Sequence, residues 1–133
     1  MKYIVDTSVW SQALRRERHR ETDEVRNLTI LLREGERILL PGIVLQEVLQ
    51  GIRRSDQFEQ VRESLSYFPM LEISRDDYVF AAELFNACRA KGVQAATIDF
   101  LIAALAIRNE CILLTSDKDF VHIAKHCELK LMQ

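Results

Sequence analysis

The sequence is poor in the features that mark secreted, membrane-bound or multidomain chains. Its 133 residues include only 4 glycines, 2 prolines and 3 cysteines, and no Ser/Gly-rich linker or low-complexity tract interrupts them. Without a linker or a change in composition, residues 1–133 are predicted to form a single domain. No window approaches the roughly 18 apolar residues of a membrane span, and the N-terminus lacks the apolar stretch of a secretory signal. These absences predict a soluble, cytoplasmic protein with no membrane partner.

The cysteines and the net charge exclude further classes. Cys88, Cys111 and Cys127 are widely spaced within apolar or helical patterns, so they do not form a zinc knuckle and are predicted to be reduced, buried thiols. The formal net charge of −2 does not indicate a nucleic-acid-binding protein. A phosphate-rich partner would therefore have to meet a local basic patch or metal ions.

Short apolar runs alternate with helical patterns along the chain. Strands are predicted at Lys2–Val5, Ile38–Leu40, Leu71–Ile73, Cys111–Leu114 and Leu129–Leu131. Helices are predicted from Val9 to Leu14, from Thr22 to near Gly35, and at Ile43–Ile52, Phe58–Phe68, Asp76–Ala90, Thr97–Ile107 and Asp117–His126. This alternation predicts an α/β fold with a parallel sheet covered by helices on both faces.

Acidic residues follow two of the predicted strands. Asp6 comes directly after the first strand, and Asp117 follows the fourth strand together with Thr115 and Ser116. Because the carboxyl ends of parallel strands lie at one edge of a sheet, these two acids are expected to be close together. Two more acids stand out by their context: Glu47, at the margin of an apolar helical stripe, and Asp99, the only acid in the first turn of a buried helix.

Each of these acids also has a purely structural interpretation. Asp6 and Asp117 could cap the helices that follow, Asp99 could interact with a helix dipole, and Glu47 could be an ordinary surface residue. As a set, however, they would repel one another, and no Lys or Arg in the apolar flanks of Asp6 or Asp99 is placed to neutralise them. A hard divalent cation such as Mg²⁺ or Mn²⁺ would do so, and an all-carboxylate site of this kind is suited to phosphodiester hydrolysis. Hydroxyl groups of Ser8, Thr115 and Ser116 would support it.

Four motifs in this order resemble those of the PIN-domain nucleases, and within them the VapC-type toxins of toxin–antitoxin pairs. The motifs are Asp6-Thr7-Ser8, Val44 to Gly51 around Glu47, Asp99 leading into Ile102-Ala103-Ala104, and Leu114 to Phe120. The resemblance runs almost from end to end of the chain. It implies a three-layer α/β/α fold and a Mg²⁺- or Mn²⁺-dependent endoribonuclease that cuts single-stranded or looped RNA.

The resemblance also implies roles for individual residues. Asp6, Glu47, Asp99 and Asp117 match the family's four acidic positions, and Asp6, Asp99 and Asp117 are expected as metal ligands. Ser8 and Thr115 match hydroxyl positions near the metal, and Asp119 matches a position where some members add an acid. The family further implies a homodimer and inhibition by a small cognate antitoxin protein.

Basic residues near these motifs are candidates for binding RNA phosphates. Arg15 and Arg16 belong to a basic run shortly after Asp6, and Lys118 lies between two of the acids. The alternative interpretation of the run is a solvated helix end. His122 and His126, one turn apart, have no further ligand to complete a metal site and are predicted to lie on a helix surface.

Two functions from other classes remain as alternatives. A phosphoacceptor signalling domain is also α/β but requires an Asp after a central strand, and Leu40 is followed by Pro41 instead. A non-catalytic, metal-free module could use the same acids to bind a basic peptide. A haloacid-dehalogenase-like phosphatase is disfavoured because Ser8 occupies the position two residues after Asp6 where that family needs an Asp.

Overall fold

Five strands and seven helices alternate along the part of the chain that the computed structural model describes, residues 1–15 and 21–133. The strands are β1 (Lys2–Val5), β2 (Arg37–Pro41), β3 (Met70–Leu71), β4 (Cys111–Leu114) and β5 (Lys130–Leu131). The helices are α1 (Thr7–Leu14), α2 (Asp23–Arg33), α3 (Gly42–Leu49), α4 (Ser55–Leu65), α5 (Arg75–Ala90), α6 (Thr97–Arg108) and α7 (Asp119–Ala124).

The strands form a parallel sheet in the order β3-β2-β1-β4-β5. The central strand β1 pairs with β2 on one side and with β4 on the other, so that Lys2 lies opposite both Arg37 and Cys111. The chain moves outward from β1 to β3, then returns to place β4 on the other side of β1. The crevice between the carboxyl ends of β1 and β4 is therefore the topological switch point, where open α/β sheets bind their ligands.

The helices cover both faces of the sheet, which confirms the predicted α/β/α arrangement. Right-handed crossovers place α1 to α4 on one face and α5 to α7 on the other. The packing agrees, because α1 contacts α2 and α3, whereas α6 contacts α5 and α7. None of the helices in the described ranges combines the length and the apolarity needed to cross a bilayer.

Helix α6 is buried because almost every side chain along it is apolar. Phe100, Ile102 and the segment 103–106 are fully or almost fully buried beneath the sheet. Burial of each large side chain contributes about 1.5–3 kcal/mol of transfer free energy. This buried helix carries Asp99 in its first turn, so the position of Asp99 is fixed by the core itself.

Several predicted boundaries and one topological premise are corrected by the structure. Helix α3 ends at Leu49 and not at Ile52, because Gly51 adopts a φ of +83° that stops the helix. The central strand is β1, followed by Asp6, and not the strand that precedes Pro41. The residue after Leu40 is therefore no argument against the phosphoacceptor alternative, because Asp6 follows the central strand.

The cysteines agree with their predicted state. Cys88 and Cys111 are buried and Cys127 is half-buried, and all three are free thiols. Burial raises the pKa of each above its ordinary value, so the thiols are protonated at neutral pH.

Candidate active site

The side chain of Asp6 does not cap the helix that it precedes. Asp6 occupies the N-cap position of α1, and its carbonyl accepts hydrogen bonds from the backbone of Val9 and Trp10, but its carboxylate forms no capping bond. Instead, Oδ2 accepts hydrogen bonds from Ser8 Oγ and Thr115 Oγ1, each at 2.8 Å. Asp6 as a whole residue is only 5% exposed. The geometry thus favours the functional interpretation of Asp6 over the capping one.

The two hydroxyls that donate to Asp6 also hold the turn that follows β4. Ser8 Oγ accepts a hydrogen bond from the backbone N–H of Ser116 at 3.2 Å, and Thr115 Oγ1 accepts one from Asp117 at 3.0 Å. Each hydroxyl therefore donates to the carboxylate and accepts from the turn. The backbone N–H of Asp6 also donates to the carbonyl of Leu114 at 2.8 Å, which extends the β1–β4 pairing up to the site.

Asp99, Asp117 and Asp119 form a three-acid cluster at the same edge. One carboxylate oxygen of each lies within 4.8 Å of one oxygen of the others, a spacing that can hold a metal ion. Asp117 Oδ1 accepts a hydrogen bond from the backbone N–H of Asp119 at 2.9 Å, so α7 begins at Asp119 and not at the predicted Asp117. Asp99 Oδ2 accepts one from the backbone of Ala96 at 3.2 Å.

The electrostatics of the cluster are unfavourable for ionised carboxylates. The pKa of Asp99 is raised from 3.8 to about 6, mainly by burial and further by the negative charges of Asp117, Asp6 and Asp119, against the lowering effect of the Ala96 hydrogen bond. Within residues 1–15 and 21–133, no Lys, Arg or His forms an ion pair with any of these acids. A bound cation would supply the missing positive charge.

Glu47 lies at the margin of α3, as its sequence position predicted. Its carboxylate is half-buried, and Oε1 accepts a hydrogen bond from Thr7 Oγ1 at 2.9 Å. Thr7 is the residue after Asp6, so this bond fixes Glu47 beside the first strand's carboxyl end. The sequence placed Thr7 within the motif Asp6-Thr7-Ser8, but its contact with Glu47 was not predicted.

The candidate basic residues occupy different settings. Lys118 is exposed between Asp117 and Asp119. The guanidinium of Arg15 lies close to Gly51, at the end of α3, where Nη2 would be 3.5 Å from a Cβ atom built on that glycine. Arg16 lies outside the described residues. His122 is exposed on α7, as predicted, whereas His126 is exposed in the turn that follows, because α7 ends at Ala124 and not at the predicted His126.

The structure thus brings the predicted acids to one edge of the sheet, with a difference in their grouping. Asp119, predicted as a supporting residue, lies within the compact cluster with Asp99 and Asp117. Asp6, predicted as a metal ligand, lies outside that three-acid group but close enough for its charge to raise the pKa of Asp99. A further polar residue, Gln12, contacts Ser116 and was not identified from the sequence.

Comparison with known proteins agrees with this arrangement. The sequence pattern of the PIN domain matches residues 3–126. A VapC ribonuclease of Mycobacterium bovis is 31% identical over 129 residues, covering 96% of this chain and 95% of that protein. In the crystal structure of VapBC2 from Rickettsia felis bound to a promoter DNA fragment, one chain superposes with a TM-score of 0.75 at 24% identity. The superposition covers 99% of this chain and 98% of the Rickettsia felis chain. VapC20 of Mycobacterium tuberculosis, a toxin that cleaves the sarcin-ricin loop, superposes with a TM-score of 0.67 at 15% identity. This superposition covers 96% of this chain and 98% of VapC20.

Proposed function

The chain belongs to the PIN-domain family, and we propose that it is a divalent-metal-dependent endoribonuclease, the toxin of a type II toxin–antitoxin pair. The observation that carries this proposal is the meeting of Asp99, Asp117 and Asp119 beside the buried Asp6 at the switch point of the sheet. The relatives that it matches along nearly their whole length are named as VapC ribonucleases, which supports RNA as the substrate.

The residues present fit a hard divalent cation. Their donors are carboxylate oxygens, which Mg²⁺ and Mn²⁺ prefer. The pKa of Asp99 is raised mainly by burial and further by the neighbouring carboxylates, and a cation would favour its ionised form. We assign Asp99, Asp117 and Asp119 as the groups that would hold it, with Asp6 as a further ligand or as a group that positions water. When bound, such an ion polarises the scissile phosphate and activates water for attack.

The chain's own residues would orient the participants in the reaction. Ser8 and Thr115 hold the Asp6 carboxylate in place by donating hydrogen bonds to Oδ2. Thr7 holds Glu47 Oε1, so that the other carboxylate oxygen of Glu47 is available to accept a proton or to orient water. We therefore assign Asp6, Glu47, Asp99 and Asp117 to catalysis, with Ser8 and Thr115 as supporting residues.

The same proposal extends to substrate and protein partners. Lys118, and Arg15 and Arg16 more weakly, are assigned to phosphates of the RNA that flank the cleaved bond. A small cognate antitoxin is proposed as the inhibitory partner, supported by the solved VapBC complexes whose toxins share this fold. We also propose a homodimer, a cytoplasmic location, and that residues 1–133 act as one domain.

Cleavage of RNA by the purified chain tests the proposal. We expect cleavage with Mg²⁺ or Mn²⁺, its loss in EDTA, and its return when the metal is restored. Asp6→Asn and Asp99→Asn should abolish cleavage while circular dichroism shows an unchanged fold. Asp76→Asn serves as the matched control, because Asp76 is an exposed acid in the first turn of α5.

Four outcomes would contradict the proposal. Cleavage that persists in EDTA, or equally in Asp99→Asn, would belong to a contaminating nuclease. Binding of basic peptides without metal and without cleavage would support the acidic binding module, and a stable aspartyl phosphate at Asp6 would support the phosphoacceptor domain.

A further inference from the structure

A continuous path of hydrogen bonds joins the start of α2 to the buried carboxylate of the site. Thr22 Oγ1 donates to Gln12 Oε1 at 3.1 Å, and Gln12 Nε2 donates to Ser116 Oγ at 2.9 Å. The backbone N–H of Ser116 donates to Ser8 Oγ at 3.2 Å, and Ser8 Oγ donates to Asp6 Oδ2 at 2.8 Å. The path crosses from α2 through α1 to the turn after β4.

Gln12 occupies the middle of this path and uses both ends of its amide. Its side chain is half-buried, so an amide group left without partners there would lose hydrogen bonds that water only partly replaces. The amide oxygen accepts from Thr22, and the amide nitrogen donates to Ser116. Thr22 is itself held in place, since its hydroxyl accepts from the backbone N–H of Val25 as the N-cap of α2.

The turn that Gln12 holds is the one that delivers an acid to the cluster. Ser116 immediately precedes Asp117, whose carboxylate lies within 4.8 Å of those of Asp99 and Asp119. The hydroxyls of Ser8 and Thr115 stabilise this turn by accepting hydrogen bonds from the backbone N–H groups of Ser116 and Asp117. Gln12 adds a further hydrogen bond to this turn, from Nε2 to Ser116 Oγ. It comes from α1, on the face of the sheet opposite to α6, the helix that carries Asp99.

We propose that Gln12 is a positioning residue that sets the affinity of the acid cluster for its divalent ion, an inference that rests on the proposed function. Within the described residues, the side-chain hydrogen bonds of Gln12 go to Thr22 and Ser116, and none goes to an acid of the cluster. Gln12 acts through Ser116, by holding the turn at the separation that lets Asp117 share an ion with Asp99 and Asp119. Outer groups that orient metal ligands in this way typically alter metal affinity by about 10- to 100-fold.

Binding of Mn²⁺ to the full-length chain, measured by titration calorimetry without RNA, tests this inference. We expect Gln12→Ala and Ser116→Ala each to weaken Mn²⁺ binding by about tenfold. The double variant should be no weaker than the poorer single variant, since both substitutions break the same hydrogen bond. Cleavage of RNA by Gln12→Ala should return to the wild-type rate at saturating Mn²⁺.

Gln57→Ala, on α4, provides a matched control because Gln57 also bonds to α1. Gln57 Nε2 donates to the carbonyl of Arg15 at 2.8 Å, so this glutamine also anchors the end of α1 but does not reach the turn after β4. Gln57→Ala should reduce thermal stability while leaving the Mn²⁺ affinity within about twofold of wild type. A readout of metal affinity therefore separates positioning from a general loosening of α1.

The possible results distinguish this inference from the proposed function. If the wild-type chain binds no Mn²⁺, the metal-dependent function itself fails, and the inference falls with it. If the wild type binds Mn²⁺ and Gln12→Ala binds equally well, only the inference is overturned. Equal weakening by Gln57→Ala, or additive losses in the double variant, would also overturn it. Should Gln12→Ala fail to fold, Ser116→Ala still removes the acceptor of the amide and carries the test.

Discussion

Thr115 Oγ1 donates a hydrogen bond to Asp6 Oδ2 across 2.8 Å, although the two residues are 109 positions apart in the chain. The same hydroxyl accepts from the backbone of Asp117, so one oxygen atom connects the buried acid of β1 to the turn that carries the next acid. The two strands that flank the switch point are thereby locked at the ends where the acids emerge.

Replacement of Thr115 by valine should therefore lower the free energy of unfolding, although valine has nearly the same shape as threonine. Thr115→Val removes the donor to Asp6 and the acceptor of the Asp117 N–H, and we expect a loss of about 1–3 kcal/mol in the free energy of unfolding. Urea denaturation measures this value. Thr29→Val is the control, because Thr29 is exposed and bonds only to the carbonyl of Val25 within its own helix. Equal losses in the two variants would show that the Asp6 contact contributes nothing specific.

Removal of the charge on Asp99 should stabilise the metal-free protein at high pH. Because the pKa of Asp99 is raised from 3.8 to about 6 on folding, its contribution is fully present below pH 3.8 and is lost as the pH rises through about 6. In EDTA, Asp99→Asn should be more stable than wild type by about 1 kcal/mol above pH 7, after allowance for solvent screening, and equal to it near pH 4. Saturating Mg²⁺ should stabilise wild type more than the variant. A difference between the two proteins that does not vary with pH would contradict this expectation.

Asp77 offers the opposite pH dependence at a site remote from the acid cluster. Burial would raise the pKa of Asp77, but hydrogen bonds from Ser74 and from the Arg108 guanidinium at 2.8 Å together outweigh it and hold the pKa below its ordinary value. Stability from this group is therefore present above pH 3.8 and is lost as the pH falls through the lowered pKa. We expect Asp77→Asn to cost about 2 kcal/mol near pH 7 in thermal or urea unfolding, with Mn²⁺ affinity unchanged. Asp76→Asn next to it should cost far less, and a similar loss there would rule out a specific Asp77–Arg108 bridge.

Glu47 allows charge to be tested separately from geometry. In Glu47→Gln the amide oxygen can still accept the hydrogen bond from Thr7, so the side chain should stay in place while its negative charge is lost. We expect at least a tenfold decrease in the rate of RNA cleavage, with the free energy of unfolding changed by less than about 0.5 kcal/mol. Glu63→Gln on the exposed face of α4 should leave both quantities unchanged. Full activity of Glu47→Gln would show that the negative charge of Glu47 is not needed for cleavage.

The apolar groove between α5 and α6 is where we expect a second copy of the chain to bind. The groove has a volume of about 390 Å³ and is lined largely by apolar and aromatic side chains, among them Tyr78, Phe85 and Leu101. Tyr78→Asp should convert a dimer into a monomer in size-exclusion chromatography with light scattering. Tyr67→Asp, at a more exposed tyrosine outside the groove, should leave the oligomeric state unchanged. If neither substitution alters the mass of a dimeric wild type, the dimer uses another surface.

The fold could be predicted because its elements are marked locally. Short β-branched and apolar runs that end in acids predicted β1 and β4, and the continuous apolarity of α6 predicted its burial. The ends of helices that depend on a single backbone angle or hydrogen bond could not be predicted from such local patterns. The end of α3 near Gly51 and the start of α7 after Asp117 are both of this kind.

Sequence position relative to the strands was enough to place Asp6 and Asp117 at one edge of the sheet, and Asp99 was singled out by its place on a buried helix. The internal geometry of the candidate site could not be predicted in this way. The closer grouping of Asp119 and the contacts of Thr7 and Gln12 depend on the angles at which α7, α3 and α1 pack, and sequence patterns do not encode those angles. Strand order was also beyond the sequence, and this led to the wrong choice of a central strand.

The central position of β1 has a consequence for how the polypeptide gains its activity during translation. The ribosome releases β1 early, yet the partner on one side of it, β4, is synthesised more than a hundred residues later. Pairings of such long range form slowly and late, after the loop between them has been closed. A nascent chain that stops just before residue 111 would carry Asp6, Glu47 and Asp99 but neither Asp117 nor Asp119. A growing copy of this enzyme would therefore be harmless to the RNA around it until synthesis is almost finished.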